Sequence, residues 1–152
     1  MDKSLLQPSI APDFKVPKGY SSTALFMVAF FGGPFSIFMF SMLHSNLLGS
    51  IKKDWLVPIP FLAGLILVTW SLENPAQVSA SFAEWSSAYK SLLPYIIKFY
   101  GLLYYSCYWF FHRHIFKAMT SYQDPWAAGL TCFMIGSFFQ VMLHYLFRDQ
   151  PL

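Results

Sequence analysis

Charged side chains are scarce in this chain. Lys, Arg, Asp and Glu make up 11% of its 152 residues, where a soluble domain carries about 25%. No basic run of the kind that tracks a phosphate backbone is present, so nucleic acid is not an expected partner. Cysteine is nearly lacking: Cys107 and Cys132 stand alone, with no Cys-x-x-Cys, which excludes a disulfide framework. The apolar runs hold no paired carboxylates for a proton relay, and no Ser/His/Asp set stands out for acyl transfer, so the expectation leans away from an enzyme. Residues 1–15 contain Asp2, Pro8, Pro12 and Asp13 and no apolar core of a signal peptide. The first long apolar run is therefore expected to be its own insertion signal.

What is abundant is apolar and aromatic, at 56% and 20% of the residues. The apolar residues gather in four blocks, at 20–44, 55–72, 92–114 and 125–147, each near the roughly 20 residues that cross a hydrocarbon core. Trp55 and Trp70 bracket the second block as interface residues. These features predict an all-α integral membrane four-helix bundle, one domain over 20–152 behind an extended polar tail over 1–19, with the lipid bilayer as its first partner. Between the second and third blocks, Asn74-Pro75-Ala76-Gln77 reads as a helix start with Asn74 as the cap. Val78, Phe82, Trp85, Tyr89 and Leu92 then follow at alternating steps of about four and three. That spacing predicts an amphipathic interfacial helix over 75–91.

The first block is interrupted by Phe30-Phe31-Gly32-Gly33-Pro34-Phe35. Pro34 removes a backbone donor, and the two glycines remove the side chains that would hold a neighbour off. A kink is expected there, serving as a hinge, as a backbone ligand site, or as the packing pivot of the bundle. Ala29, Gly33 and Ser36 form a small-residue stripe on the same helix, and Ala128, Cys132 and Gly136 form another on the fourth block, suited to close packing.

The segment Phe30 to Phe35, with Asn46 and Leu48-Gly49 at the end of the run, resembles a group of small bacterial multi-span membrane proteins with a Gly-Gly-Pro motif in the first transmembrane helix. The likeness extends to His114 and to Trp126 opening the last span. Here Phe35-Ser36 replaces the usual Leu-Ala, and Asp124-Pro125 stands in a turn that is often glycine-rich. The resemblance implies topology and a bacterial inner membrane, and brings no activity with it.

Polar groups within the apolar blocks are few. Lys98, Tyr105, Trp109 and His112 fall on one face of the third block, and Gln140 and His144 continue the fourth block's stripe. Lys98, Tyr105, His112, Gln140 and His144 are the candidate polar site. His44, Asp54, His112, His114 and Asp124 are expected at one membrane face. No cofactor is otherwise called for, but His44, His112, His114 and Asp124 offer ligands for a divalent metal. The leading expectation is a non-enzymatic accessory subunit that works by helix contact with another membrane protein or with copies of itself. The alternatives are a small oligomeric transporter or channel using the polar stripe, and a membrane enzyme dependent on metal or on Cys107 and Cys132.

Overall fold

The computed structural model of the chain describes residues 18–49, 54–119 and 121–148. Most of the expected tail, with Lys52 and Lys53, lies outside them. The elements are α1 (Ser22–Leu47), α2 (Pro58–Glu73), the short α3 (Pro75–Val78) and α4 (Ala80–Ala88), a 3-10 turn over Lys90–Leu92, α5 (Leu93–Ala118) and α6 (Trp126–Arg148). Among the described residues there is no strand, only a lone parallel bridge between Gly19 and Tyr122.

Local sequence explains most of these boundaries. The Ser21 hydroxyl accepts from the Ala24 N–H at 3.1 Å and opens α1. Pro58 and Pro60 fall in the first turns of α2, where missing donors matter least. The Asp124 carboxylate accepts from the Trp126 N–H at 3.2 Å ahead of α6.

The decisive feature is inside α1. Gly33 has φ 75° and ψ −170°, a region only glycine occupies without strain, and Pro34 follows with no N–H to rejoin the helical ladder. The break is far more than a kink. The Tyr20 N–H donates to His44 Nδ1 at 3.0 Å across 24 residues, which a straight helix would hold about 36 Å apart. The Tyr20 ring also stacks on Phe40 at 4.5 Å. α1 is therefore a hairpin, with arms over 22–32 and 34–47 of about 16 and 21 Å, its tip at Gly33-Pro34 and both ends at one base. The first apolar block over 20–44, expected to kink at this point, doubles back there instead.

The other long helices register against this hairpin. On α5, a Cβ at Gly101 would lie 3.0 Å from the Pro34 nitrogen, so its backbone lies directly on the tip; Phe116, further along, stacks on His44 at the base. α6 runs the opposite way, passing Val28 and Phe40 at Gly129 and meeting Ser36 at Gly136, where a Cβ would come within 2.5 Å of the Ser36 nitrogen. The two small-residue stripes thus close on each other inside one molecule. α2 is preceded at the base by Asp54 beside His112 and ends beyond the tip with Glu73 beside His144. Leu25, Ala29, Ile37, Phe40, Tyr104, Tyr108 and Cys132 form the centre of the core.

By length and composition two segments are apolar enough to cross a membrane, Ser22–Leu47 and Trp126–Arg148. The first is folded back on itself at Gly33. α6 leaves Leu130, Met134, Phe138 and Leu146 uncovered, at 61, 65, 62 and 58% exposure, and an apolar face of that extent calls for lipid or a protein neighbour.

The expected helix over 75–91 is divided. Ser79 is extended (φ −171°, ψ 157°), ending α3, and its hydroxyl accepts from the Phe82 N–H to start α4. Asn74 makes no side-chain cap; its amide donates to the Trp70 and Phe147 carbonyls at 3.2 and 3.3 Å, joining the ends of α2 and α6. The outward side of α4 carries Trp85 and Tyr89, while Ser86 is buried.

Gly33→Ala is expected to destabilise the fold by about 1–3 kcal/mol, read as a lower thermal midpoint in detergent. Gly129→Ala, whose Cβ meets nothing closer than 3.5 Å, is the control expected to leave it unchanged. Equal midpoints for the two variants would mean that the reversal does not depend on glycine.

Candidate functional site

Two polar regions lie at opposite ends of the helices. The first is a buried seam between the second arm of α1 and α5. Ser41 and Ser45 stand one turn apart on α1, and Tyr104, Tyr108 and His112 stand one turn apart on α5, so each set lines a single face. The Ser41 and Tyr104 hydroxyls pair at 2.6 Å, and those of Ser45 and Tyr108 at 2.7 Å. The Tyr108 ring stacks on His112 at 4.2 Å. All five residues are 5% exposed or less, a setting in which hydroxyls left unmatched would cost about 1–3 kcal/mol each. Sequence reasoning missed both tyrosines. The steps of four from Tyr100 to Tyr104, Tyr108 and His112 were the available signal.

His112 closes the seam at the base. Its Nδ1 lies 3.0 Å from the Tyr108 carbonyl and its Nε2 3.1 Å from the Asp54 carboxylate. An acceptor thus faces each ring nitrogen of His112. His44 is arranged differently. Its Nδ1 accepts from the Tyr20 N–H, which leaves the ring proton on Nε2, and Nε2 is buried with no partner among the described residues. The ring lies over Phe116 at 5.1 Å. His44 is the latch that closes the base of the hairpin.

The second region is a half-open cavity of about 780 Å³ beyond the hairpin tip. It exists because α1 turns back there, leaving α2, α5 and α6 to enclose the space, with α4 and the 3-10 turn at its mouth. Glu73, Gln140, His144, Ser86, Ser87 and Lys90 supply its polar lining, and Leu72, Pro94, Ile97 and Val141 its apolar walls. The Glu73 carboxylate accepts from His144 Nδ1 at 2.6 Å. Gln140 Oε1 is buried and unmatched among the described residues.

Of the expected polar site, Gln140 and His144 are together in this cavity. The other three are elsewhere: Lys98 is exposed on α5, Tyr105 packs edge-on against Phe26 at 5.6 Å, and His112 belongs to the seam. The expected face failed because positions seven apart drift by about 20° per heptad on a straight helix, whereas the buried line runs in fours. Glu73 was overlooked as a helix-end residue. Of the expected metal ligands, His44 and His112 both contact Tyr108, while His114 and Asp124 are exposed. No group of three or more His, Cys, Asp or Glu positioned for a metal occurs among the described residues. Cys107 and Cys132 are free thiols with different neighbours, Cys132 in the core and Cys107 on a groove of about 610 Å³ between α2 and α5. Asp54 and His112 line that groove too.

No protein-family model, curated protein or solved structure matches the chain.

His44→Phe keeps a ring over Phe116 but leaves the Tyr20 N–H without its acceptor. A loss of about 1–3 kcal/mol is expected, with greater protease access at residues 18–21. A double-mutant cycle of Ser41→Ala with Tyr104→Phe should give a coupling near 0.6 kcal/mol and below about 2, the range of interhelical hydrogen bonds in membranes. Zero coupling would remove the seam as a stabilising element.

Proposed function

We propose that this chain is an integral membrane protein in which α2, α5 and α6 cross the bilayer and α1 enters and leaves by one face. It admits a small polar solute to the cavity beyond the hairpin tip and passes it along the α2–α5 interface. The observation that carries this reading is the hairpin stopping partway, with Glu73, Gln140 and His144 gathered in the space it leaves. Broken helices and ionisable groups at membrane depth are tolerated where they line a cavity, and they mark solute paths. Three openings follow one another along α2 and α5: the cavity, a small void beside Phe61, Tyr100 and Tyr104, and the groove at Asp54 and His112. The Phe61 ring, 5.2 Å from that of Tyr104, is the closed gate between them. The likeness of the Gly-Gly-Pro segment favours a bacterial inner membrane. Flux of small solutes into proteoliposomes is expected to fall with Gln140→Leu or His112→Ala and to rise with Phe61→Ala. Flux indifferent to the first two would remove the transport reading.

An accessory role through helix contact is supported by a different observation. An apolar groove of about 380 Å³ runs between the first arm of α1 and α6, lined by Ala24, Met27, Val28, Gly129, Leu130 and Phe133. A helix of another membrane protein, or of a second copy, fits its small-residue floor. Affinity purification in mild detergent should then recover a stoichiometric partner that Gly129→Leu loses. Recovery of isolated monomers alone would count against this role.

A further inference from the structure

We infer that the cavity beyond the hairpin tip is a binding site for a primary ammonium group carried on a short apolar stem. The cavity's lining holds hydrogen-bonding capacity that the fold leaves unused. Ser86 and Ser87 donate to the carbonyls of Ala83 and Glu84 at 2.9 and 2.8 Å, so their oxygens face the cavity's chemistry as acceptors. Gln140 contributes a buried carbonyl oxygen with no donor among the described residues. Glu73 gives one oxygen to His144 and has the other for a ligand. The lining is therefore rich in acceptors around one carboxylate, and a primary ammonium, with three donors and one positive charge, complements it. A quaternary ammonium has the charge without the donors, and an alcohol has a donor without the charge.

The walls set the rest of the ligand. The rest of the lining is mostly apolar, with Leu72, Pro75, Pro94, Ile97 and Val141 and the ring of Tyr145, so a short hydrocarbon stem is matched and a fully polar solute is not. Lys90 stands at the mouth, and its charge turns a second cation away while accommodating an anion beside the bound amine. Two sources carry this chemistry: a free alkylamine, and the headgroup of an aminophospholipid, whose phosphate would meet Lys90. The lipid source rests on the membrane reading above; the amine chemistry needs only the cavity.

The test uses the full-length protein in a neutral detergent, titrated with butylamine, with butyltrimethylammonium and with butanol, and read by thermal midpoint and by calorimetry. Saturable binding is expected for butylamine and not for the other two. Glu73→Gln should weaken it about tenfold or more, the worth of a hydrogen bond to a charged group. Gln140→Leu should weaken it as well, without lowering the unliganded midpoint. In lipid nanodiscs, phosphatidylethanolamine stabilising the protein beyond phosphatidylcholine, and competing with butylamine, would identify the lipid as the source; stabilisation by butylamine alone would identify the free amine. Equal affinity for butylamine and its trimethyl analogue would overturn the inference, and so would a Glu73→Gln variant that binds as the parent does. Binding without flux of the amine keeps this site and removes the transport reading. Flux of other solutes with no amine binding does the reverse.

Discussion

The reversal of the chain at Gly33-Pro34 is the constraint on which the rest of the molecule depends. A glycine at φ 75° and ψ −170° followed by a residue with no N–H ends one helix and begins another within two positions. In an apolar surrounding such a break is tolerated only if the exposed backbone is covered. Here Gly101 and Gly136 bring the backbones of α5 and α6 against it, and the Ser36 hydroxyl donates to the Gly32 carbonyl at 2.8 Å. Those contacts fix the levels of both helices, so the pairing of Ser41 with Tyr104 and of Ser45 with Tyr108 one and two turns further on follows from the tip rather than being set independently.

The same reversal creates the space where chemistry can happen. A straight first helix would run on between α2, α5 and α6 and fill the volume that Glu73, Gln140 and His144 now border. The base is the opposite case. There both arms are present, the Tyr20 N–H is held by His44, and His112 and Asp54 are matched to each other, so apart from His44 Nε2 the polar groups are used in holding helices together. Polar content alone does not separate the two ends; what separates them is whether the hydrogen-bonding capacity is already taken up.

Features set by neighbouring residues were legible in the sequence. Asp124-Pro125 announces α6, and Ser21 announces α1. The break at Gly33 was legible as a break, yet its angle depends on one backbone torsion, and an apolar run of the right length reads as a crossing whichever way the chain turns. Asn74 shows the other limit: its cap signature is sound locally, but its amide is turned to donate to the Trp70 and Phe147 carbonyls instead. Tyr104 and Tyr108 were hidden because aromatic residues occur all around α5, so the buried line had no contrast until Ser41 and Ser45 were seen opposite it. Gln140 and His144 were identified as polar positions on one stripe, but their companion Glu73 comes from another helix, and only the fold brings it to them.

The hairpin also decides a matter of counting. In the topology proposed above, α1 returns to the face it left, the segment after Leu47 starts on the same side as Tyr20, and α2, α5 and α6 make an odd number of passages. Were Gly33 and Pro34 residues that continue a helix, α1 would be a passage too, the number would be even, and every later segment would stand on the opposite side of the membrane. In that topology two residues set the sidedness of the hundred or so that follow.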